Sequence, residues 1–167
     1  MSSSRRRAGR SGPRAVYKCR ADSSGVGLIE VLIAILVMGI GLLGIAAMQA
    51  TALRNSQSSL ERSQAVIHSY GILDAMRANL PVARAGGYNT PGFVCVPPAT
   101  DTTLVAADHA RWIKAIEDSM GEDACGRIQC LPIVNSESRS CTVTVRWNDA
   151  RATEGSDEQQ IQTVSRL

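Results

Sequence analysis

The stretch that decides the fold runs from Val26 to Met48 and reads VGLIEVLIAILVMGIGLLGIAAM. Eighteen of these 23 residues are apolar, four are glycine and one is Glu30. As an α-helix the stretch extends about 35 Å, at about 1.5 Å per residue, which is enough to cross a hydrocarbon core of about 30 Å. No other stretch is comparable, so the sequence predicts a single membrane-spanning segment over residues 26–48.

The charges on either side of this segment predict its orientation. The chain has 167 residues, with 18 Lys and Arg against 15 Asp and Glu. Seven of the basic residues and one acidic residue lie in residues 1–25, so residues 26–167 hold 11 basic and 14 acidic residues. Because positive flanks stay on the cytoplasmic side of a membrane, we expect residues 1–25 in the cytoplasm and the rest of the chain, beyond residue 48, outside it.

Composition and motifs argue against several classes of protein. The excess positive charge is confined to residues 1–25, which disfavours a basic nucleic-acid-binding domain. Six aromatic side chains are too few for a platform that stacks single strands. The sequence contains no HExxH, GxSxG or phosphate-loop motif. We therefore expect no enzyme, no metal, no cofactor and no direct nucleic-acid binding, with His68 on a helix surface and His109 in the first turn of a short helix.

Glu30 distinguishes the apolar segment from simpler membrane sequences. A secretory signal peptide has a shorter apolar region that ends in a small-residue cleavage site. A plain membrane anchor has no need of a carboxylate, which costs on the order of 3 kcal/mol in lipid and requires a partner. Two interpretations of Glu30 remain: it lies near the interface and reaches water, or it pairs with a positive group in an assembled state.

Beyond Met48 the helical pattern continues with an amphipathic character. Apolar residues recur every seven positions at Leu53, Leu60 and Ile67, and a second series follows at spacings of three and four. This second series consists of Val66, Tyr70, Leu73, Met76 and Leu80. Pro81 disfavours helix at the residue before it, so we predict one helix over residues 26–79. The stripe packs either under a globular head or against a coiled-coil partner.

The sequence beyond residue 80 predicts a small globular head that contains both a helix and strands. Residues 81–100 are rich in Pro and Gly and are expected to form a loop. A short helix is predicted over residues 108–119, with Asp108 as its cap, an apolar face and Gly121 closing it. That face consists of Trp112, Ile113 and Ile116. Strands are predicted over residues 127–134, 141–148 and 159–165, the first two forming a hairpin with a turn at 135–140.

The cysteines fit an oxidising compartment. Cys19 lies in the predicted leader, and four cysteines follow it, namely Cys95, Cys125, Cys130 and Cys141. An even number suggests two disulfides with three possible connectivities, of which we favour Cys95–Cys125 and Cys130–Cys141, the latter within the hairpin. A zinc site is the rival interpretation, although only Cys125 and Cys130 have a ligand-like spacing.

The residues around the start of the apolar segment, Ser24-Gly25-Val26-Gly27-Leu28-Ile29-Glu30, resemble the class III signal of type IV pilins and pseudopilins. The resemblance implies that a prepilin peptidase cuts between Gly25 and Val26, that Val26 is then N-methylated, and that Glu30, the fifth mature residue, pairs with a neighbouring subunit's amine. Val26 stands where the family usually has Phe. It also implies an α+β fold, in which the C-terminal half of a long N-terminal helix packs on a small antiparallel sheet.

The head is similar to that of a group of minor pilins, the type IV pilus modification proteins. This resemblance rests on packing and turn segments, including residues 40–49, 76–80, 85–88, 108–112 and 142–149. It implies an inner-membrane precursor whose periplasmic head later enters the pilus fibre near its tip, where minor pilins and the major pilin are its partners. A type II secretion pseudopilin and a static membrane-anchored module are the alternatives. The implied organisation is a leader at 1–25, a core helix at 26–48, its continuation at 49–80 and a head at 81–167.

Overall fold

A long helix is followed by two shorter helices and a three-stranded sheet. The computed structural model describes Gly25, residues 27–99 and residues 102–167. The elements are α1 (Leu28–Ala78), α2 (Leu80–Arg84), α3 (Leu104–Met120), β1 (Cys125–Pro132), β2 (Arg139–Trp147) and β3 (Gln159–Arg166). The expected α+β class, a long N-terminal helix on a small antiparallel sheet, is confirmed. The chain divides into two compact units, one up to Gly41 and one from Leu42 onward.

The end of α1 agrees with the sequence, but the start of the predicted loop does not. Helix α1 ends at Ala78, one residue before the predicted limit, and α2 begins at Leu80 and occupies the first four residues of the predicted loop. Pro81 lies in the first turn of α2, where a missing N–H removes no helical hydrogen bond. The proline therefore separates two helices instead of beginning a loop.

The face of α1 that the head covers includes Leu73 and Met76 of the predicted stripe, but not its seven-residue series. Leu53, Leu60 and Ile67 remain 63%, 59% and 58% exposed. The buried residues of α1 lie on the opposite side of the helix and are Ser58, Ala65, Ser69, Ile72, Leu73 and Met76. Small residues fill the first half of this buried face because they let the head approach the helix backbone closely. The seven-residue series is thus not the contact with the head.

The sheet has the order β1-β2-β3 with antiparallel pairing throughout. The hairpin begins and ends about two residues earlier than predicted, since β1 ends at Pro132 and β2 begins at Arg139. Asn135 has a φ of 58° in the intervening turn, a conformation that Asn tolerates better than most residues. An isolated bridge between Val94 and Gly126 adds a short contact along the β1 edge.

Helix α3 begins earlier than predicted and has a different cap. Thr103 is the N-cap, and its side chain accepts a hydrogen bond from the backbone N–H of Ala106 at 3.2 Å. Asp108 is therefore not the cap but a buried residue within the helix. Gly121 ends α3 with a φ of 101°, a value that favours glycine.

The core lies between α1, α3 and the sheet. The predicted apolar face of α3 is buried, and so is the alternating set of β2. The largest fully buried side chains include Trp147, Tyr88, Leu73, Met76, Ile113, Ile116, Ile128, Val143 and Val145. Burial of apolar side chains of this size is the main source of stability for the head.

Candidate functional site

The candidate site begins where α1 begins. Gly25 is exposed, and Gly27 precedes the helix. The carbonyl oxygen of Gly27 accepts hydrogen bonds from the backbone N–H groups of Glu30, at 2.9 Å, and Val31, at 3.3 Å. Val26, predicted as the methylated residue, and the leader to residue 24 lie outside the described residues. The described segment therefore places Glu30 in the first helical turn.

Glu30 is an exposed carboxylate within an apolar surface. Its side-chain carboxylate has no hydrogen-bond or ion-pair partner among the described residues. Its neighbour Leu28 is 82% exposed. A carboxylate in the first turn of a helix interacts favourably with the helix dipole, but in an apolar environment it still requires water or a cation. Among the described residues, the Glu30 carboxylate is therefore free to bind water or a cation.

The apolar part of α1 is not buried by any of the described residues. In the described ranges α1 is the one helix that is long and apolar enough to cross a membrane, by length and composition alone, and none of its most apolar stretch is buried. Contiguous apolar patches of this size are rare on soluble monomers and mark membrane or protein contacts. The helix therefore requires a bilayer or other apolar helices around it.

The head is closed by two disulfides. The structure joins Cys95 to Cys125, 30 residues apart, and Cys130 to Cys141, 11 residues apart. These are the two pairs that the sequence analysis favours, and Cys130 lies directly opposite Cys141 in the β1–β2 register. Sulfurs engaged in these bonds leave no thiolate for the rival zinc site. Within the described ranges, no group of three His, Cys, Asp or Glu residues is placed to hold a metal.

Polar contacts that the sequence did not predict fasten the loop between β2 and β3 to α1. The buried Ser58 hydroxyl donates to the Asp149 carboxylate at 2.5 Å. Further along the loop, the Thr153 hydroxyl donates to the side-chain oxygen of Asn55 at 2.8 Å. Burial, followed by repulsion from Asp149, raises the pKa of Glu61. No sequence signal marks these residues, because the loop and the helix are more than 90 positions apart.

Asp108 anchors α3 to the segment after α2. The Tyr88 hydroxyl donates to Asp108 at 2.7 Å, and Arg111 donates to the same carboxylate at 2.5 Å. Burial, and secondarily the hydrogen bond to Asp108, raises the pKa of Tyr88. His109 lies in the second turn of α3, not the first, with its ring edge-on to Tyr88. Burial lowers the pKa of His109.

His68 and Ser119 form a pair that superficially resembles part of a catalytic site. The His68 Nε2 and Ser119 Oγ atoms are 2.8 Å apart, and burial lowers the pKa of His68. The Ser119 hydroxyl also donates to the Ala115 carbonyl at 2.8 Å, and no carboxylate in the described ranges is hydrogen-bonded to His68. The Trp112 indole N–H donates to the His68 carbonyl at 3.1 Å. The pair therefore connects α1 to α3 instead of forming a nucleophile–base–acid array.

Comparison with known proteins gives one family match. A family model described as the prokaryotic N-terminal methylation motif matches residues 20–46. No curated protein and no solved structure matches the chain. The matched range includes the predicted cleavage position, Glu30 and most of the apolar helix. Such a motif, at the start of a single apolar helix in an α+β chain, indicates a protein similar to type IV pilins and pseudopilins, a structural and not an enzymatic class.

Proposed function

We propose that this chain is a minor pilin of the type IV pilus modification class, PilV, which helps to prime pilus assembly and enters the fibre near its tip. One observation carries the proposal: the N-terminal methylation motif over residues 20–46 includes the start of an apolar helix whose most apolar stretch has no buried residue. A helix of this kind exchanges lipid for neighbouring helices when subunits leave the bilayer. The head then forms the outward part of the subunit.

The proposed precursor is a single-pass inner-membrane protein. Residues 1–25 form the cytoplasmic leader, residues 26–48 the membrane and filament-core helix, residues 49–80 its continuation, and residues 81–167 the periplasmic head. Two disulfides in the head suit an oxidising compartment. Its proposed partners are the prepilin peptidase, other minor pilins and the major pilin, and the mature subunit supports twitching motility through the fibre.

Processing is tested by intact mass and N-terminal sequencing of the protein purified from its native cells. The proposed product begins at Val26, carries one added methyl group on its amine and retains both disulfides. A matched preparation from cells without prepilin peptidase keeps the leader. An intact leader in cells with active peptidase would contradict the pilin proposal and favour a static membrane-anchored module.

Glu30 is the proposed assembly residue. The new amine at Val26 supplies the kind of cation that an unpaired carboxylate in an apolar surface requires. Such a buried pair specifies subunit register more than it adds net stability. We expect Glu30→Ala to be processed normally but to be largely absent from sheared fibres. Glu137→Ala, which removes an exposed carboxylate from the hairpin turn, should enter fibres like the wild type. Equal incorporation of both variants would refute the pairing role.

The same motif also occurs in type II secretion pseudopilins. Deletion of the gene in native cells separates the two assemblies. Loss of surface pili and twitching with normal protein secretion supports the minor pilin. Loss of secretion with normal piliation supports a pseudopilin instead, and would overturn the proposal while leaving the motif unaffected.

A further inference from the structure

The outer face of the sheet has an unusual charge. Side chains alternate between the two faces of a strand, and the core takes Ile128, Val143 and Val145. The opposite face presents Arg127, Gln129, Thr142, Thr144, Arg146, Gln160, Gln162, Val164 and Arg166. The three strands together contain four arginines and no Asp or Glu, although residues 26–167 as a whole have an excess of acidic residues.

Two of these arginines converge on one aromatic ring. The guanidinium carbon of Arg127 lies 4.8 Å from the Phe93 ring centroid, and that of Arg146 lies 4.4 Å from it. Phe93 is the one phenylalanine in the chain. Contact with the ring face restrains each guanidinium without consuming its hydrogen-bond donors. The result is a pair of preoriented cations at the β1–β2 end of the sheet.

Arg127 is the member of this pair without an ionic partner. It has no carboxylate within ion-pair distance in the described ranges, whereas Arg146 contacts Glu158 at 3.0 Å. Thr144 faces Arg127 across the β1–β2 register and is only 1% exposed. Among the described residues, neither the Thr144 hydroxyl oxygen nor the Arg127 Nε has a hydrogen-bond partner. Because both atoms are enclosed, ordered water is the group that would satisfy them.

We propose that the Arg127–Phe93–Arg146 cluster is a docking site for a carboxylate-bearing segment of a partner protein. Planar guanidinium groups bind carboxylates through two parallel hydrogen bonds. The proposal does not depend on the function proposed above, because it concerns binding by the folded head alone.

The surroundings of the cluster favour a short acidic segment over a long polyanion. Four carboxylates line the cleft beside the Cys95–Cys125 disulfide, next to Arg146. They are Glu122, Asp123, Asp157 and Glu158. A nucleic acid or sulfated polysaccharide, with charges at regular close spacing, would meet these carboxylates as it crossed the face. A peptide segment with one or two acidic residues places its charge only at the cluster.

The test measures binding of a fluorescein-labelled diglutamate peptide, in which two glutamates are flanked by neutral residues, to the full chain in neutral detergent micelles at low salt. Fluorescence anisotropy gives the affinity, and a heparin fragment is titrated in parallel. Removing both charges, R127Q with R146Q, should weaken binding of the diglutamate peptide about tenfold or more. Phe93→Leu, which keeps the net charge, should weaken it about threefold. Glu158→Gln, which removes the competing carboxylate, should strengthen it about twofold to fivefold.

Matched variants separate the site from general charge effects and from misfolding. R54Q with R62Q removes two exposed arginines from α1 and should change the affinity less than about twofold. R127K with R146K keeps both charges, and weaker binding with an unchanged unfolding midpoint would support the planar, stacked geometry. The proposal is overturned if the wild type does not bind the diglutamate peptide, if the α1 control weakens binding as much as the cluster variants do, or if heparin binds more tightly than the peptide and loses affinity in the same cluster variants.

Discussion

Gly126 lies at the closest approach between β1 and α3, and we predict that Gly126→Ala destabilises the head. An added Cβ would lie 2.4 Å from the Trp112 Cη2 atom, 2.7 Å from its Cζ3 atom and 3.0 Å from the Ile113 Cδ1 atom. Trp112 cannot move away freely, because it is buried and its indole N–H is hydrogen-bonded to the His68 carbonyl. The backbone of Gly126 is likewise held by two hydrogen bonds to Val94.

The expected magnitude follows from overpacking, which costs about 1–3 kcal/mol in a well-packed core. In a domain of this size each kcal/mol lowers the Tm by about 4–8 °C. Gly71→Ala is the matched control, since Gly71 lies in the interior of α1 and nothing lies within 4 Å of the added Cβ. That change should stabilise the chain by about 0.5–1 kcal/mol, because alanine loses less backbone entropy in a helix.

Guanidinium unfolding in neutral detergent, followed by tryptophan fluorescence under non-reducing conditions, measures both changes. A double variant identifies the clash itself: Trp112→Phe removes the two ring carbons nearest to the added Cβ. Gly126→Ala should therefore cost less in the Trp112→Phe background than in the wild type. A neutral Gly126→Ala, a destabilising Gly71→Ala, or strict additivity with Trp112→Phe would each refute the reasoning.

Three further predictions concern the disulfides, the partly buried Glu61 carboxylate and the Asp108 anchor. Replacing Cys95 and Cys125 by Ala should lower the free energy of unfolding by about 3.6 kcal/mol, and replacing Cys130 and Cys141 should lower it by about 2.8 kcal/mol, because the first bond closes the longer loop. The unfolding midpoints of the two variants check this order. The pKa of Glu61 is higher in the folded chain than in the unfolded one, so the folded state binds the proton more tightly. The free energy of unfolding therefore falls as the pH rises from the ordinary carboxyl pKa through the raised one. A Tm series against pH should show this slope in the wild type and a flatter curve in Glu61→Gln, and identical curves would contradict it. Asp108→Ala should lower the free energy of unfolding by about 2–3 kcal/mol, because it removes the carboxylate that accepts from the Tyr88 hydroxyl. Asp118→Ala, on the exposed side of the same helix, should lower it by less than about 1 kcal/mol. Thermal unfolding of the two variants tests the difference.

Local patterns in the sequence were enough to predict α1, α3 and the three strands, but not α2. The alternation through Cys141, Val143 and Val145 predicted β2 to within about two residues, because strand burial has a period of two. Gly121 closes α3 as expected, because few other residues adopt its conformation. The cap of α3 was missed: Thr103 and Asp108 are both suitable cap residues, and only the packing of Asp108 against Tyr88 shows which one lies inside the helix.

The sequence by itself determined that one apolar helix begins near Glu30, since length and hydropathy are local properties that need no partner. It also determined the N-terminal methylation motif and the approximate positions of the strands. Only the tertiary structure decided which face of α1 the head covers, placing Ala65 and Ser69 inside while Leu60 stays exposed. Apolarity alone does not settle that choice, because close helix–sheet contact selects small side chains as well as apolar ones. The juxtaposition of Phe93 with Arg127 and Arg146 likewise arises from strand pairing, which brings residues distant in sequence onto one face.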